Sequence, residues 1–246
     1  LLDYSEYLGR IGIGRIYRGK ISVGQQVVLI KQDGSMKSFR VTKLFGFMGL
    51  KRIEVEEAKA GDIVAVAGME DINVGETVCP KDYPDPLPLP RIDEPTLQMT
   101  FLVNNSPFAG REGKFVTARK IEERLMTQLE TDVSLKVEPT DSPDAWIVSG
   151  RGELHLSILI ENMRREGYEL QLSKPQVIMK DIDGVLCEPY ERVQVDVPEE
   201  YTGAVMKSLG SRKGDMLDMI NQGNGQVRLI FKVPSRGLLG YTTEFL

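Results

Sequence analysis

The chain has 246 residues, 41% of them apolar, and its 36 acidic against 31 basic side chains leave a net charge of −5. That length allows two or three small domains, and the composition suits soluble globular folding. The negative balance excludes a freestanding nucleic-acid binder held by bulk electrostatics.

Charge is spread evenly along the chain. Residues 1–90 carry 12 basic and 12 acidic side chains, 91–174 carry 11 and 14, and 175–246 carry 8 and 10. No segment is a basic module, so any RNA contact has to come from local patches. Cys79 and Cys187 are far apart in sequence, which argues against a disulfide framework and for reduced thiols. With His155 as the one histidine, little is left for a zinc site. The chain opens on Leu1 and closes on the apolar run Leu238 to Leu246, and it reads as a piece of a longer protein. No basic-then-apolar leader is present, and stretches such as Ile63 to Ala67 are too short to span a bilayer; a cytoplasmic location is expected.

Residues 1–88 read as all-β, with short β-rich runs at Ile11 to Tyr17, Gln26 to Ile30, Met36 to Phe45, Ile63 to Ala67 and Glu76 to Val78. Asp33-Gly34 between two runs predicts a tight primed hairpin turn. Several short strands without an intervening amphipathic helix predict a closed barrel, which removes exposed edges. Prolines at 80, 84, 86, 88 and 90 then mark a stiff, extended spacer.

Residues 92–174 follow a β-α-β-β-α-β rhythm. Leu97 to Val103 is strand-like, and Ala118, Ile121, Leu125 and Leu129 mark a helix face. Val133, Leu135 and Val137 alternate as a second strand, Ala145 to Val148 make a third, and Tyr168, Leu170 and Leu172 form the last. Between these, Gly150-Arg151-Gly152-Glu153-Leu154-His155-Leu156 joins a strand to a helix whose apolar face is Leu156, Leu159, Ile160 and Met163. Gly150 and Gly152 are expected to let the chain turn sharply, Glu153 to meet the positive end of the helix dipole, and Gly167 to end the helix. The arrangement is the ferredoxin-like split.

Residues 175–246 begin the same rhythm again. Val193, Val195 and Val197 alternate, Tyr201 to Leu209 is helical, and Met216 to Ile220 and Val227 to Val233 are strands. Ser235 is expected to cap a second helix starting near Gly237. A second ferredoxin-like unit would then lack its final strand. The predicted fold is therefore a β-barrel followed by two ferredoxin-like domains, the last one truncated.

These segments resemble the part of translational GTPases that follows the nucleotide-binding domain, as in elongation factor G. Gly9-Arg10-Ile11-Gly12-Ile13-Gly14-Arg15-Ile16, with Gly19-Lys20-Ile21 and Gly24, is similar to the family's second domain, as is the run from Ala58 to Gly68 ending in Val74-Gly75-Glu76-Thr77. Gly150 to Leu156 resembles the third-domain signature. Glu188-Pro189-Tyr190-Glu191 with Pro198-Glu199-Glu200-Tyr201 resembles the start of the last ferredoxin-like domain. Asn104 to Gly113 and Ser235 to Tyr241 most resemble the BipA (TypA) subfamily. The resemblance implies a ribosome-associated GTPase acting in large-subunit assembly and in stress or cold adaptation, docking between the ribosomal subunits. It places GTP and magnesium in a nucleotide domain before Leu1, and a further domain after Leu246. Elongation factor G itself, or a ribosome-protection relative acting in translocation, is the alternative within the family.

The chain itself is expected to hold no nucleotide. Gly14-Arg15-Ile16-Tyr17-Arg18-Gly19-Lys20 spells most of a P-loop, but Ile21 stands where a magnesium-binding hydroxyl is needed, and the run lies among strands. Asp181-Ile182-Asp183-Gly184 matches only the loose acidic-to-glycine pattern of a GTPase switch, and no Asn-Lys-x-Asp occurs. Gly150, Gly152, Glu153 and His155 are read as an interdomain signature; the competing reading makes Glu153 and His155 an acid–base pair of an autonomous enzyme. Candidate ribosome contacts are Arg111 and Lys114 flanking a glycine loop, Arg151 in the glycine turn, Arg212-Lys213 beyond a helix, and Arg236 at a helix start. Each competes with the reading of a solvated surface charge. A structural adaptor that binds proteins only is a third possibility.

Overall fold

The computed structural model describes residues 1–88 and 94–245. Its contacts group the chain into two units, residues 1–93 with 122–135 and residues 94–121 with 136–246. Pro90 of the expected spacer and the expected start of a domain at residue 92 lie outside the described residues.

Among its described residues the first unit holds ten short strands: β1 (Leu2–Ser5), β2 (Gly9–Arg15), β3 (Lys20–Ser22), β4 (Gln26–Ile30), β5 (Met36–Arg40), β6 (Lys43–Met48), β7 (Lys51–Glu54), β8 (Glu57–Lys59), β9 (Ile63–Ala67) and β10 (Thr77–Pro80). They pair as three antiparallel sheets, β1-β2-β9-β6-β7, β10-β4-β5 and β3-β8. Val27 to Ile30 and Val64 to Ala67 are continuously buried because both faces of β4 and β9 are covered. Val27, Leu29, Val64 and Val66 join Leu2, Ile21, Leu44 and Ala58 in one core, so all three sheets close on the same apolar interior. Val28 and Ile30 point the other way, against Cys79, and Ala65 and Ala67 against Ile11. Pairing runs in three sheets, not in one continuous ring of strands.

Two local expectations change here. The run from Met36 to Phe45 is two strands, broken where Val41 bonds back to Gln25 and Thr42 to Ala67. Asp33-Gly34 is not a two-residue primed turn. Lys31 N donates to Ser35 O across a three-residue loop, and Gly34 takes a positive φ while Asp33 does not. Asp33 instead accepts from the Ser35 amide and hydroxyl, which tightens the loop from outside. Pro80 belongs to β10 and not to the spacer; β10 is an edge strand, where a missing N–H costs no ladder bond. Residues 83–88 carry no regular structure and are tied down by Leu87 N to Thr77 Oγ1 (3.1 Å) and by an Arg18–Asp85 pair (2.6 Å).

Next come β11 (Leu97–Val103), α1 (Ala118–Leu129), β12 (Lys136–Pro139), β13 (Ala145–Gly150), α2 (Glu153–Glu166), β14 (Leu170–Leu172) and β15 (Gln176–Val177). The sheet order is β12-β13-β11-β14, all antiparallel, with β15 also on β11. This is the strand order a split β-α-β-β-α-β unit requires. The second strand starts later than the alternation of Val133, Leu135 and Val137 implies. Asp132 Oδ1 accepts from Ser134 N and holds residues 132–135 in a turn, which still buries Leu135. The last strand is interrupted: Ser173 bonds to Thr100 through both its amide and its hydroxyl, and pairing resumes at Gln176. Helix α2 ends as expected at Gly167 in the left-handed region.

The remaining elements are β16 (Lys180–Ile182), β17 (Val185–Cys187), β18 (Tyr190–Pro198), α3 (Thr202–Ser211), β19 (Asp215–Gly223), β20 (Gln226–Pro234) and α4 (Tyr241–Phe245). β18, β20 and β19 form one sheet in that order, and Val195, Val197, Leu229, Phe231 and Val233 pack with Val205, Leu209 and Tyr241. Ser235 does not cap a helix: it begins a 3-10 turn, Ser235–Leu238, and its hydroxyl donates to Glu191 instead (2.9 Å).

Candidate nucleic-acid interface

The chain bends at Arg151 and Gly152 between strand and helix, as expected, but without left-handed backbone; what the junction demands of Gly150 is space. Neither Gly150 nor Gly152 has a positive φ, and Gly152 is fully extended at φ −178. A Cβ on Gly150 would lie 2.9 Å from Leu156 Cδ2 and 3.1 Å from His155 Nδ1, so the helix start sits directly on this backbone. A Cβ on Gly152 would meet nothing within 4 Å. His155 Nδ1 accepts from Arg151 N (3.2 Å), and Arg151 O accepts from the Thr96 hydroxyl (2.8 Å), leaving the Arg151 side chain exposed. Glu153 Oε2 accepts from Gly240 N (2.9 Å). The two groups of the competing acid–base reading are thus engaged with separate backbone amides, 151 and 240.

Arg212 organises its own segment. Its guanidinium donates to Gly237 O (2.7 Å), Leu239 O (3.2 Å) and Glu244 Oε2 (2.5 Å), and it lies 5.2 Å over the Tyr241 ring. Only 23% of the side chain is exposed. The Ser208 hydroxyl on α3 also donates to Glu244, and these bonds hold its carboxyl below the usual carboxylate range. Arg236 is committed to Glu188, at 2.7 Å from Nε. Lys213 stands at a positive φ of 65°, where it turns the chain from α3 into β19.

Arg111 and Lys114 share a loop that is built differently. Glu169, two residues past the end of α2 at Gly167, sends its carboxylate into residues 104–113. It accepts from Gly110 N (2.9 Å), Glu112 N (3.1 Å), Gly113 N (3.0 Å) and Asn104 Nδ2 (2.6 Å). The amides of Gly110 and Glu112, with smaller help from Gly113 and Asn104, hold the Glu169 carboxyl below its ordinary range. Asn104 Oδ1 accepts in turn from Ser106 N and Gln171 Nε2. Lys114 N and Phe115 N both donate to Gly167 O, and the Phe115 ring rests on Tyr168 at 4.9 Å. Gly113 is needed for this fit, since a Cβ there would fall 2.6 Å from Glu169 Cβ. On the outer side, Arg111 lies 4.8 Å over the Phe108 ring, which is 62% exposed. Neither Glu169 nor Phe108 carries a sequence signal for this role, because the amides that Glu169 holds are more than fifty residues away.

The P-loop-like run takes no part in a phosphate cradle. Gly14 and Arg15 end β2, Lys20 opens β3 and pairs with Glu57 (2.8 Å), and Ile21 is buried in the core. The next element is a strand, β4, so no set of helix N-terminal amides faces that turn. Asp183-Gly184 is the two-residue turn of the β16–β17 hairpin, both residues with positive φ. The first unit also has a cavity of about 500 Å³, walled by apolar residues such as Ile16, Val64 and Ile72; none of the candidate cations lines it.

Three family models match the chain in sequence: elongation factor Tu domain 2 over residues 9–79, elongation factor G domain III over 115–174, and the elongation factor G C-terminus over 185–246. A "large ribosomal subunit assembly factor BipA" of Bacillus subtilis (strain 168) is 80% identical over 246 residues, all of this chain and 40% of that protein. The chain belongs to the BipA family. BipA proteins so named in Synechocystis and in Escherichia coli (strain K12) are 57% and 53% identical over 245 residues, covering 100% of this chain and 41% and 40% of theirs. The chain thus spans about two fifths of the length of these BipA relatives. A crystal structure of a Thermus thermophilus protein shares the fold at 20% identity, with a TM-score of 0.58 over 98% of this chain and 51% of that one.

Proposed function

We propose that this chain is the ribosome-contacting portion of a BipA-type translational GTPase that acts in assembly of the large ribosomal subunit. The observation that carries the reading is the run of three matched domains in the order of elongation factors, together with relatives named as large-subunit assembly factors. The reading divides the chain into a barrel (1–88), a ferredoxin-like domain (92–174) and an incomplete ferredoxin-like domain (175–246). The core shared by three sheets supports the first, the β12-β13-β11-β14 order the second, and the β18-β20-β19 order the third.

GTP and magnesium belong, on this reading, to a nucleotide domain of the whole protein. The residues described do not fit them: the P-loop-like run lies in strands with Ile21 buried, and no step of nucleotide chemistry is assigned to this chain. Its part is to present surfaces. Glu153, Arg212 and Glu169 fix the backbone of residues 235–245 and 104–113, and the candidate cations not tied to those segments' own acids are Arg111, Lys114, Arg151 and Lys213. Arg212 and Arg236 keep a supporting role, holding their own segment in place. The partner is the ribosome near its factor-binding site, in the cytoplasm; no helix among the described residues is long and apolar enough to cross a membrane.

Co-sedimentation with large ribosomal subunits at rising salt tests the reading. A negatively charged chain using a few local cations binds weakly and is released as salt rises. Absence of sedimentation at low salt, or tight binding that salt does not weaken, would count against it.

A further inference from the structure

We propose that the Asn104–Gly113 loop is a stacking platform for an unpaired RNA base, with Phe108 and Arg111 as the platform and Lys114 beside it for the adjoining phosphate. The inference rests on the ribosome-facing reading above and names the chemistry of one contact within it.

Three observations carry it. The first is local charge. Residues 104–120 hold four basic side chains, Arg111, Lys114, Arg119 and Lys120, and the acid Glu112; with the Glu169 carboxylate that reaches into the loop, a local excess of two positive charges remains in a chain whose net charge is −5. A local positive excess of this kind attracts a polyanion. The second is rigidity. Four hydrogen bonds from Gly110, Glu112, Gly113 and Asn104 converge on Glu169, and two more link Lys114 and Phe115 to Gly167. An irregular loop is thereby set before any partner arrives, so little ordering entropy is lost on contact. The third is what the loop displays. Phe108 is a large apolar ring left mostly in solvent, with the flat guanidinium of Arg111 against it. An aromatic face next to an arginine plane, with a further cation nearby, suits a base and its phosphate. A nucleotide uses both features at once, its base on the Phe108 ring and its phosphate on the neighbouring cations.

The test uses a short single-stranded RNA carrying 2-aminopurine, titrated with the wild-type chain, Phe108→Ala, Phe108→Tyr and the double variant R111A/K114A. In parallel, each chain is ultraviolet cross-linked to large ribosomal subunits and the nucleotide-bearing peptides are identified. Wild type and Phe108→Tyr should bind with a change in 2-aminopurine emission, and the peptide holding residue 108 should carry the adduct. Phe108→Ala should weaken binding roughly five- to hundredfold, the range of one lost stacking contact. Loss of binding in R111A/K114A with no effect of Phe108→Ala would overturn the stacking claim and leave a plain electrostatic contact. Cross-links from residue 108 to a ribosomal protein alone would overturn it in favour of a protein partner. A chain that sediments with subunits but neither binds this RNA nor cross-links to it through the loop would refute the inference while sparing the wider reading. A chain that does not sediment at all would remove both.

Discussion

Adding one methyl group at Gly150 tests whether close packing, and not a left-handed backbone, is what requires glycine at the strand-to-helix junction. In Gly150→Ala the new Cβ falls 2.9 Å from Leu156 Cδ2 and 3.1 Å from Leu156 Cγ and His155 Nδ1. Leu156 is 1% exposed, so any shift of its side chain has to be taken up by packed neighbours. Overpacking of this kind costs about 1–3 kcal/mol. Against that, replacing glycine restricts the unfolded chain and returns about 0.4–1 kcal/mol. The net loss then centres on about 1.3 kcal/mol, with an upper end of about 2.6, and at about 2–4 °C per kcal/mol for a chain of this size the midpoint drops by roughly 3–5 °C and at most by about 10 °C. Gly152 supplies the contrast: its backbone is extended, a Cβ meets nothing, and α2 has no side-chain cap. Gly152→Ser should therefore stabilise α2 by a few tenths of a kcal/mol to about 1 kcal/mol. Thermal unfolding followed by circular dichroism reads both. A Gly150→Ala midpoint at or above wild type, or equal damage from Gly152→Ser, would show that close packing at Gly150 is not what requires glycine there.

Other perturbations probe separate parts. Lys31 lies between Glu76, whose side chain is 2% exposed, and Asp71; Lys31→Met should leave the Glu76 carboxylate buried without its ammonium partner, costing about 3 kcal/mol in denaturant unfolding of the first unit. Glu161 accepts from Arg164 and Arg165, which lower its carboxyl to about 2 from 4.5. A depressed carboxylate contributes its stabilisation above the unfolded value and loses it as pH falls through the folded one, so the last turn of α2 should loosen between about pH 4.5 and 2. A carbon-13 titration of the Glu161 carboxyl reads that shift directly, and high salt should bring it back toward the ordinary value. Glu153→Ala removes the acceptor of the Gly240 amide, whose hydrogen exchange should quicken by roughly tenfold, the equivalent of one modest hydrogen bond.

Periodicity made much of the fold legible. Leu156, Leu159 and Met163 mark the buried face of α2, Ile121 and Leu125 that of α1, and the continuous run Val27 to Ile30 a strand covered on both sides. Such patterns report burial, and burial is what sequence period encodes. Local polar competition was less legible. Asp33 and Asp132 redirect backbone amides through their own carboxylates, and Ser235 prefers Glu191 to a helix end. Which partner wins depends on residues brought together only by folding. The same holds for the candidate site. Arg111, Lys114, Arg151 and Lys213 stand out as loop cations, but a sequence cannot tell them from Arg212, whose donors are taken by Gly237, Leu239 and Glu244. Glu169 leaves no trace in spacing, since it acts on amides 56 to 59 residues back along the chain.

On the proposed function, this chain works by offering fixed cationic loops to ribosomal RNA. Chemical probing of large-subunit RNA, with and without the chain at low salt, tests it most directly. A confined set of protected nucleotides is expected, and it should fade when Arg111 and Lys114 are both replaced by alanine. An RNA reactivity pattern indistinguishable from that of the bare subunit, under conditions where the chain sediments with it, would mean that these loops do not meet ribosomal RNA.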